Sequence, residues 1–316
     1  MNELLDVKST PAQTAVAAQK SQRTATARSS RRVFIWASLV PILLYFLIFS
    51  LLPILAAFYI SLQSWPLMGG ETKFIGFKHF ADILQDRRFY ASLWNTAYFA
   101  IAYMVSVIVL GLAMALLVGS LGTRLRLLAR PIYFAPQVTS VVAVALMFTW
   151  LYEPRTGVLN YLLSFIGAGP FLWLRSQQMV MPALIATAVW RSVGYSMVIF
   201  TAGLLSIPRE LYDAVAVDGA GRWTTFRHLT LPLLKPTLLF MFVTATISGF
   251  QVFVEPWLMS AGGPGTASRV IMLDIYDEGF RFFEMGSASA LAICLFLVIA
   301  VIAYIQMRYL RESFEF

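Results

Sequence analysis

The sequence predicts an all-α integral membrane protein with six transmembrane helices. Hydrophobic residues make up 59% of the 316 residues and charged residues only 13%, whereas soluble domains sit near about 45–50% and about 25%. Six apolar stretches, at about 33–62, 92–119, 129–152, 180–206, 236–260 and 285–308, approach or exceed the roughly 20 residues needed to cross a bilayer as a helix. Between the fourth and fifth lies a charged stretch, 209–236, too long for a simple turn and too polar to cross.

In chain order, residues 1–32 are rich in Ala, Ser, Thr, Gln and Arg without apolar periodicity. That composition buries no core and predicts a disordered basic cytoplasmic tail, with an organellar transit peptide as the alternative. The first span holds Pro41 and Pro53, which are expected to bend it. Its apolar run is about twice the usual length for a cleaved signal peptide, and no small-residue cleavage site follows. In 63–91, Phe74, Phe77, Phe80, Ile83 and Leu84 recur at helical spacing among Lys78, Asp82 and Asp86. This predicts an amphipathic helix, either lying at the outer interface or simply packing on the bundle. The fourth span carries Trp190, Arg191 and Tyr195, and the fifth carries Thr244, Ser248, Gln251 and Glu255 along one helical face. Polar side chains inside spans usually face a cavity or hydrogen-bond a neighbouring helix, and both readings stand for these residues. Arg191 also has Glu255 as a potential partner. The loop Gly262-Gly263-Pro264-Gly265 precedes no phosphate-binding residues and reads as a turn that allows close approach. Residues 309–316 form a short C-terminal cytoplasmic tail.

Lys and Arg set the orientation. With the N-terminus inside, segments 1–32, 120–130, 207–235 and 308–316 hold fifteen of them, and the three outside loops hold eight. That excess places both termini, and the charged stretch, in the cytoplasm. The net charge of +8 belongs to this asymmetry. The basic residues are scattered among spans and do not form the single face that nucleic acid requires. The lone Cys294 sits in an apolar run and reads as a small buried residue. His79 and His228 have no companions at ligand spacing, so no metal site and no catalytic constellation is expected.

The charged stretch has its own grammar. Pro208 suits a first helical turn, and Glu210 and Asp213 put negative charge near the positive helix end. Leu211, Ala214, Val215 and Asp218 share a face with two small side chains. Gly219 supplies the left-handed conformation that ends a helix. A second helix, about 221–229, presents Trp223, Phe226 and Arg227, and Pro232 and Pro236 restart the chain into the fifth span. Physical reasoning alone leaves two readings, a docking element and an ordinary cytoplasmic loop.

Asp213-Ala214-Val215, three residues, Gly219, nine residues, and Leu229-Thr230-Leu231-Pro232 resemble the signature of permease subunits of binding-protein-dependent ABC importers. The family pattern is Glu-Ala-Ala, three residues, Gly, nine residues, Ile, one residue, Leu-Pro. Asp213, Val215 and Leu229 depart from it conservatively. Ile207 to Tyr212, Asp218-Gly219-Ala220, Phe250 to Phe253 and Gly262-Gly263-Pro264 are similar to the carbohydrate-uptake branch, near the maltose and glycerol-phosphate first permeases. The resemblance spans about 33–308 and implies the type I ABC importer permease fold over that range, with a core at 92–308 and a coupling segment at 209–235.

It further implies a second permease subunit, two ATPase subunits and an extracytoplasmic solute-binding protein, in a bacterial or archaeal cytoplasmic membrane. The cargo implied is a sugar, oligosaccharide or polyol phosphate. Asp213, Ala214, Val215 and Gly219 carry ATPase coupling, and Leu231 and Pro232 shape the return to the membrane. The chain lacks a phosphate-binding loop, so no cofactor is expected on it and Mg-ATP belongs to the partner ATPase. Ser248, Gln251, Tyr195 and Trp190 are the candidate path residues. A self-contained secondary transporter or channel is the alternative. It predicts inverted repeats and ion-coupling charges, and no convincing repeat is visible.

Overall fold

A computed structural model describes residues 35–66, 69 and 71–311. The expected tail at 1–32, and the last residues of the expected C-terminal tail, lie outside these. The chain divides into two compact units, residues 1–59 and 60–316.

Within the first unit, helix α1 (Ile35–Ser61) starts its course and is apolar all round, as a lipid-facing span must be. It contains a wide π-type turn at Leu47–Leu51, closed by the Leu52 N–H donating to the Leu47 carbonyl. Pro53 follows two residues after the turn. A proline removes one helical donor and its ring crowds the carbonyl four residues back, and a widened turn just before it relieves that crowding.

The second unit opens with a small antiparallel hairpin, β1 (Gln63–Ser64) and β2 (Lys73–Phe74), pairing Gln63 with Phe74 and Ser64 with Lys73. Helix α2 (Lys78–Gln85) is the amphipathic helix expected in 63–91. Ile83 is buried, Phe77 and Leu84 stay exposed, and Phe74 belongs to the hairpin instead. Helix α3 (Arg87–Ser120) starts five residues before the predicted span, because the Asp86 side chain caps it by accepting from the Arg88 N–H.

The predicted third span is broken. Helix α4 (Thr123–Val138) and helix α5 (Val141–Leu151) meet across extended Thr139 and Ser140, and Leu127–Val138 lies at 95° to Val141–Leu151. After the short α6 (Val158–Ser164), α7 (Val180–Leu205) matches the predicted fourth span. Next come α8 (Arg209–Val217) and α9 (Arg222–Leu233). The α9 helix outruns the predicted 221–229. It holds a second wide turn at Phe226–Thr230, and Pro232 follows two residues after it. The geometry repeats that before Pro53.

The predicted fifth span is also interrupted. Helix α10 (Lys235–Phe250), bent 67° from α9, stops at Phe250. The backbone leaves the helix at 251–253 and resumes into a wide turn at Pro256–Ser260. Pro256 explains the position: its missing donor and its ring both act on the carbonyl of Val252, four residues back. Helix α11 (Ile271–Tyr276) and a last wide turn, Asp277–Arg281, lead to α12 (Met285–Arg311), three residues longer than the predicted sixth span.

Helix α3 is the spine of this unit, packed most extensively on α7 and then on α10, while α4 lies on α7 and α12 on α10. The main core gathers Phe99, Leu184, Met197, Phe200 and Met241, and a smaller core joins Ile83, Phe250, Ile271 and Leu291. At Gly249 the α3–α10 contact is so close that an added Cβ would sit 2.7 Å from the Ala100 Cα. Only a residue without a side chain allows that approach.

Candidate functional site

Two separate places carry functional geometry. The first is α8. None of its residues is buried, Asp213 and Ala214 are exposed, and Val215 is half-buried. Pro208 stands just before the helix with extended backbone, so it caps the helix and does not occupy its first turn. The C-terminal end follows the Schellman pattern. The Gly219 N–H donates to the Ala216 carbonyl at 3.1 Å, and the Ala220 N–H to the Val215 carbonyl at 3.2 Å. Gly219 has φ +74°, the conformation expected of it. The Tyr212 hydroxyl lies 3.2 Å from the Thr230 hydroxyl and ties α8 to α9. Leu231 and Pro232 are half-buried at the end of α9. Val217 and Trp223 are 87% and 70% exposed, an apolar surface on a polar segment.

The second is a cavity of about 200 Å³ lined by Phe99 and Tyr103 of α3, Val141 of α5, Ala188 and Arg191 of α7, and the 248–255 segment. It lies at both helix breaks: Val141 opens α5 after the first, and Gln251 to Val254 make the second. Irregular backbone in a membrane protein is tolerated where it is buried in protein or lines a cavity. Ser248 and Gln251 both face this space. The break at 251–253 removes the continuous helical face expected for Thr244, Ser248, Gln251 and Glu255, yet the last three still converge here. Thr244 returns its hydroxyl to the Phe240 carbonyl at 2.7 Å. Trp190 and Tyr195 do not line the cavity. The Trp190 ring packs against Phe148 at 5.2 Å, and Tyr195 is half-buried against the main core. Arg191 and Glu255 do approach each other, with Nε 4.0 Å from the carboxylate.

Several organising residues escaped the sequence reading. Buried Asn160 donates to the carbonyls of Pro154 and Phe171 and accepts from the Phe171 N–H and the Trp173 indole. Asn95 donates to the carbonyls of Thr266 and Arg269, pinning the Gly-Gly-Pro loop to α3. Arg269 binds Asp274 and Asp277 at 2.6 Å each, and Arg281 joins Asp277 at 3.2 Å. Burial raises the Asp274 carboxyl above its ordinary value, against the lowering by Ser92 and Arg269. A stacked aromatic pair, Phe253 and Trp257, with Tyr276 against both rings, flanks the second break. An isolated Asn beside aromatics is the only signal any of these leaves in sequence.

The chain is similar to known proteins in sequence and fold. The family described as binding-protein-dependent transport system inner membrane component matches residues 107–315. The chain is similar to the probable ABC transporter permease protein YurN of Bacillus subtilis (strain 168), at 34% identity over 91% of this chain and 99% of that one. It is also similar to the arabinooligosaccharides transport system permease protein AraP of the same organism, at 31% identity over 87% of each. Among solved structures, a chain of a bacterial alginate ABC transporter, crystallised with an alginate pentasaccharide-bound periplasmic protein, superposes with a TM-score of 0.78. Identity is 26%, over 90% of this chain and 96% of that one. The signature around Gly219, the broken spans and these similarities agree, and the chain belongs to the inner-membrane permease components of binding-protein-dependent ABC transport systems.

Proposed function

We propose that this permease pairs with a second, different permease over two ATPase subunits. In this reading it imports a sugar, oligosaccharide or polyol phosphate handed over by its binding protein. Helix α8 is the coupling helix, seated in the ATPase, with both termini of the chain on that cytoplasmic side. Asp213, Ala214 and Val215 present the contact, Gly219 fixes the angle of the turn, and Leu231 and Pro232 direct the chain back to the membrane. ATP and Mg²⁺ bind the ATPase partners. Closure of the ATPase pair is transmitted through α8 and α9 to the broken spans, and the path alternates between inward-open and outward-open. Ser248 and Gln251 contact solute in that path, with Tyr195 and Trp190 supporting the walls from α7.

The observation that carries the reading is α8 itself: a nine-residue helix with no buried residue, closed by a glycine in the left-handed region and bearing the spaced signature. A helix that buries none of its residues in its own chain is suited to a partner. The cargo class is supported by relatives whose names specify oligosaccharide transport and by the polar cavity beside aromatic rings.

The test is affinity purification from native membranes, followed by reconstitution. One companion permease and two ATPase copies per chain are expected, with ATP-dependent sugar uptake stimulated by the binding protein. Solute flux by this chain alone, without ATP, overturns the reading.

A further inference from the structure

The cavity at the two helix breaks contains a charge pair that the coupling reading does not use. Glu255 is buried and the Arg191 side chain is 24% exposed. Removing two charges from water is costly and is ordinarily offset by short, well-aligned hydrogen bonds. This pair has none: its closest approach is 4.0 Å, and the buried Arg191 Nε has no hydrogen-bond partner among the described residues. Both side chains line the cavity with Ser248, Gln251, Phe99 and Phe253. Because both side chains line the cavity and make no hydrogen bond to each other, the outer guanidinium nitrogens and the carboxylate can serve an occupant. A hydroxylated ring fits that set, because its hydroxyls both donate and accept and its apolar face suits Phe253 or Phe99.

The charge balance narrows the occupant further. Arg191 alone would make the cavity attractive to acidic solutes, as arginine is at carboxylate and phosphate sites. The Glu255 carboxylate, 4.0 Å away, cancels that field, so an incoming anion loses its hydration without a net attraction in return. We propose that Glu255 is a specificity-determining residue that admits neutral polyhydroxylated rings to this path and rejects acidic solutes, which narrows the proposed cargo to sugars and oligosaccharides and removes the polyol phosphate. This rests on the reading of the cavity as the solute path.

The experiment uses the whole transporter in nanodiscs, with Ser248→Cys as reporter in a Cys294→Ser background. Labelling of this chain is timed by mass spectrometry with a neutral glucosyl methanethiosulfonate and an anionic sulfonatoethyl methanethiosulfonate. The expected result is slower anionic than neutral labelling, by about tenfold or more, as the uncompensated desolvation of an anion predicts. Glu255→Gln should remove most of that discrimination, Glu255→Asp should restore it, and Arg191→Gln should widen it. The opposite shifts keep the test independent of the folding of any one variant. An unchanged ratio in both Glu255→Gln and Arg191→Gln overturns the specificity role while leaving the path intact. Failure of both reagents to reach Ser248→Cys in every nucleotide state overturns the path reading, and the inference falls with it.

Discussion

Gly219 and Asn160 show how single residues act here through different physics. Gly219 has open space where a Cβ would point, with nothing within 4 Å, so its requirement is conformational and not steric. Gly219→Val is expected to strain the turn by about 1–2 kcal/mol and to lower ATP-coupled uptake severalfold. Gly219→Asn, tolerant of the same φ, should retain most of it. Transport assays on the two variants side by side check this, and equal uptake by both removes the conformational argument. Asn160 works by satisfying buried groups on every side. Asn160→Ala leaves the Trp173 indole and the Phe171 N–H without their partner and should cost about 1–3 kcal/mol. A lowered thermal midpoint of the purified complex is the readout. The two positions also differ in legibility. Gly219 was readable because its meaning is local: a glycine past a helical run fixes a backbone conformation. Asn160 was not, because its partners come together only when the loop folds.

The breaks in the third and fifth spans divide legible from hidden at the level of elements. Length and hydropathy located four spans that are single helices, and they treat as one helix each the third and fifth, where the structure has bent helix pairs. The exit at 251–253 depends on where Pro256 acts on a carbonyl four residues away, whereas the exit at Thr139–Ser140 shows itself only as extended backbone between two helices. Pro256→Ala is expected to extend helix through 251–253 and to narrow the cavity, with loss of uptake and of reagent access to Ser248→Cys. Full uptake with unchanged access contradicts that account of the break. Close packing sets a second limit. Gly249→Leu would force α3 and α10 apart at Ala100 and should destabilise the complex by about 1–3 kcal/mol, seen as a drop in thermal midpoint without loss of helix content. The wide turns before Pro53 and Pro232 were invisible to periodicity, since each alters hydrogen-bond spacing without altering composition.

At the largest scale the chain is a multi-pass member of the binding-protein-dependent transport system inner membrane components, and its unit 60–316 is built around α3 and α7. The charged stretch at 209–236 was legible because polarity between two spans is conspicuous and its spacing is distinctive. The cavity was half legible. Ser248, Gln251 and Glu255 reach it, but through a bend in the chain and not along one helical face, and the contributions of α3 and α5 follow only from tertiary packing. One outcome belongs to this scale. Purified alone, the chain should leave α8 uncovered, and it should be cleaved there first under limited proteolysis. Adding the ATPase partner should protect residues 209–219, and protection elsewhere without protection there would contradict docking at α8.

The open space around Gly219 has a stereochemical consequence. A left-handed φ that strains an L-residue is a favourable one for its mirror image. A D-alanine placed at 219 by chemical ligation would adopt this φ without strain and would restrict the unfolded chain more than glycine does. It should therefore stiffen the turn and preserve coupling, while L-alanine at the same position weakens it. The same atoms in two mirror-image arrangements would give opposite results, a comparison from which size and polarity are absent.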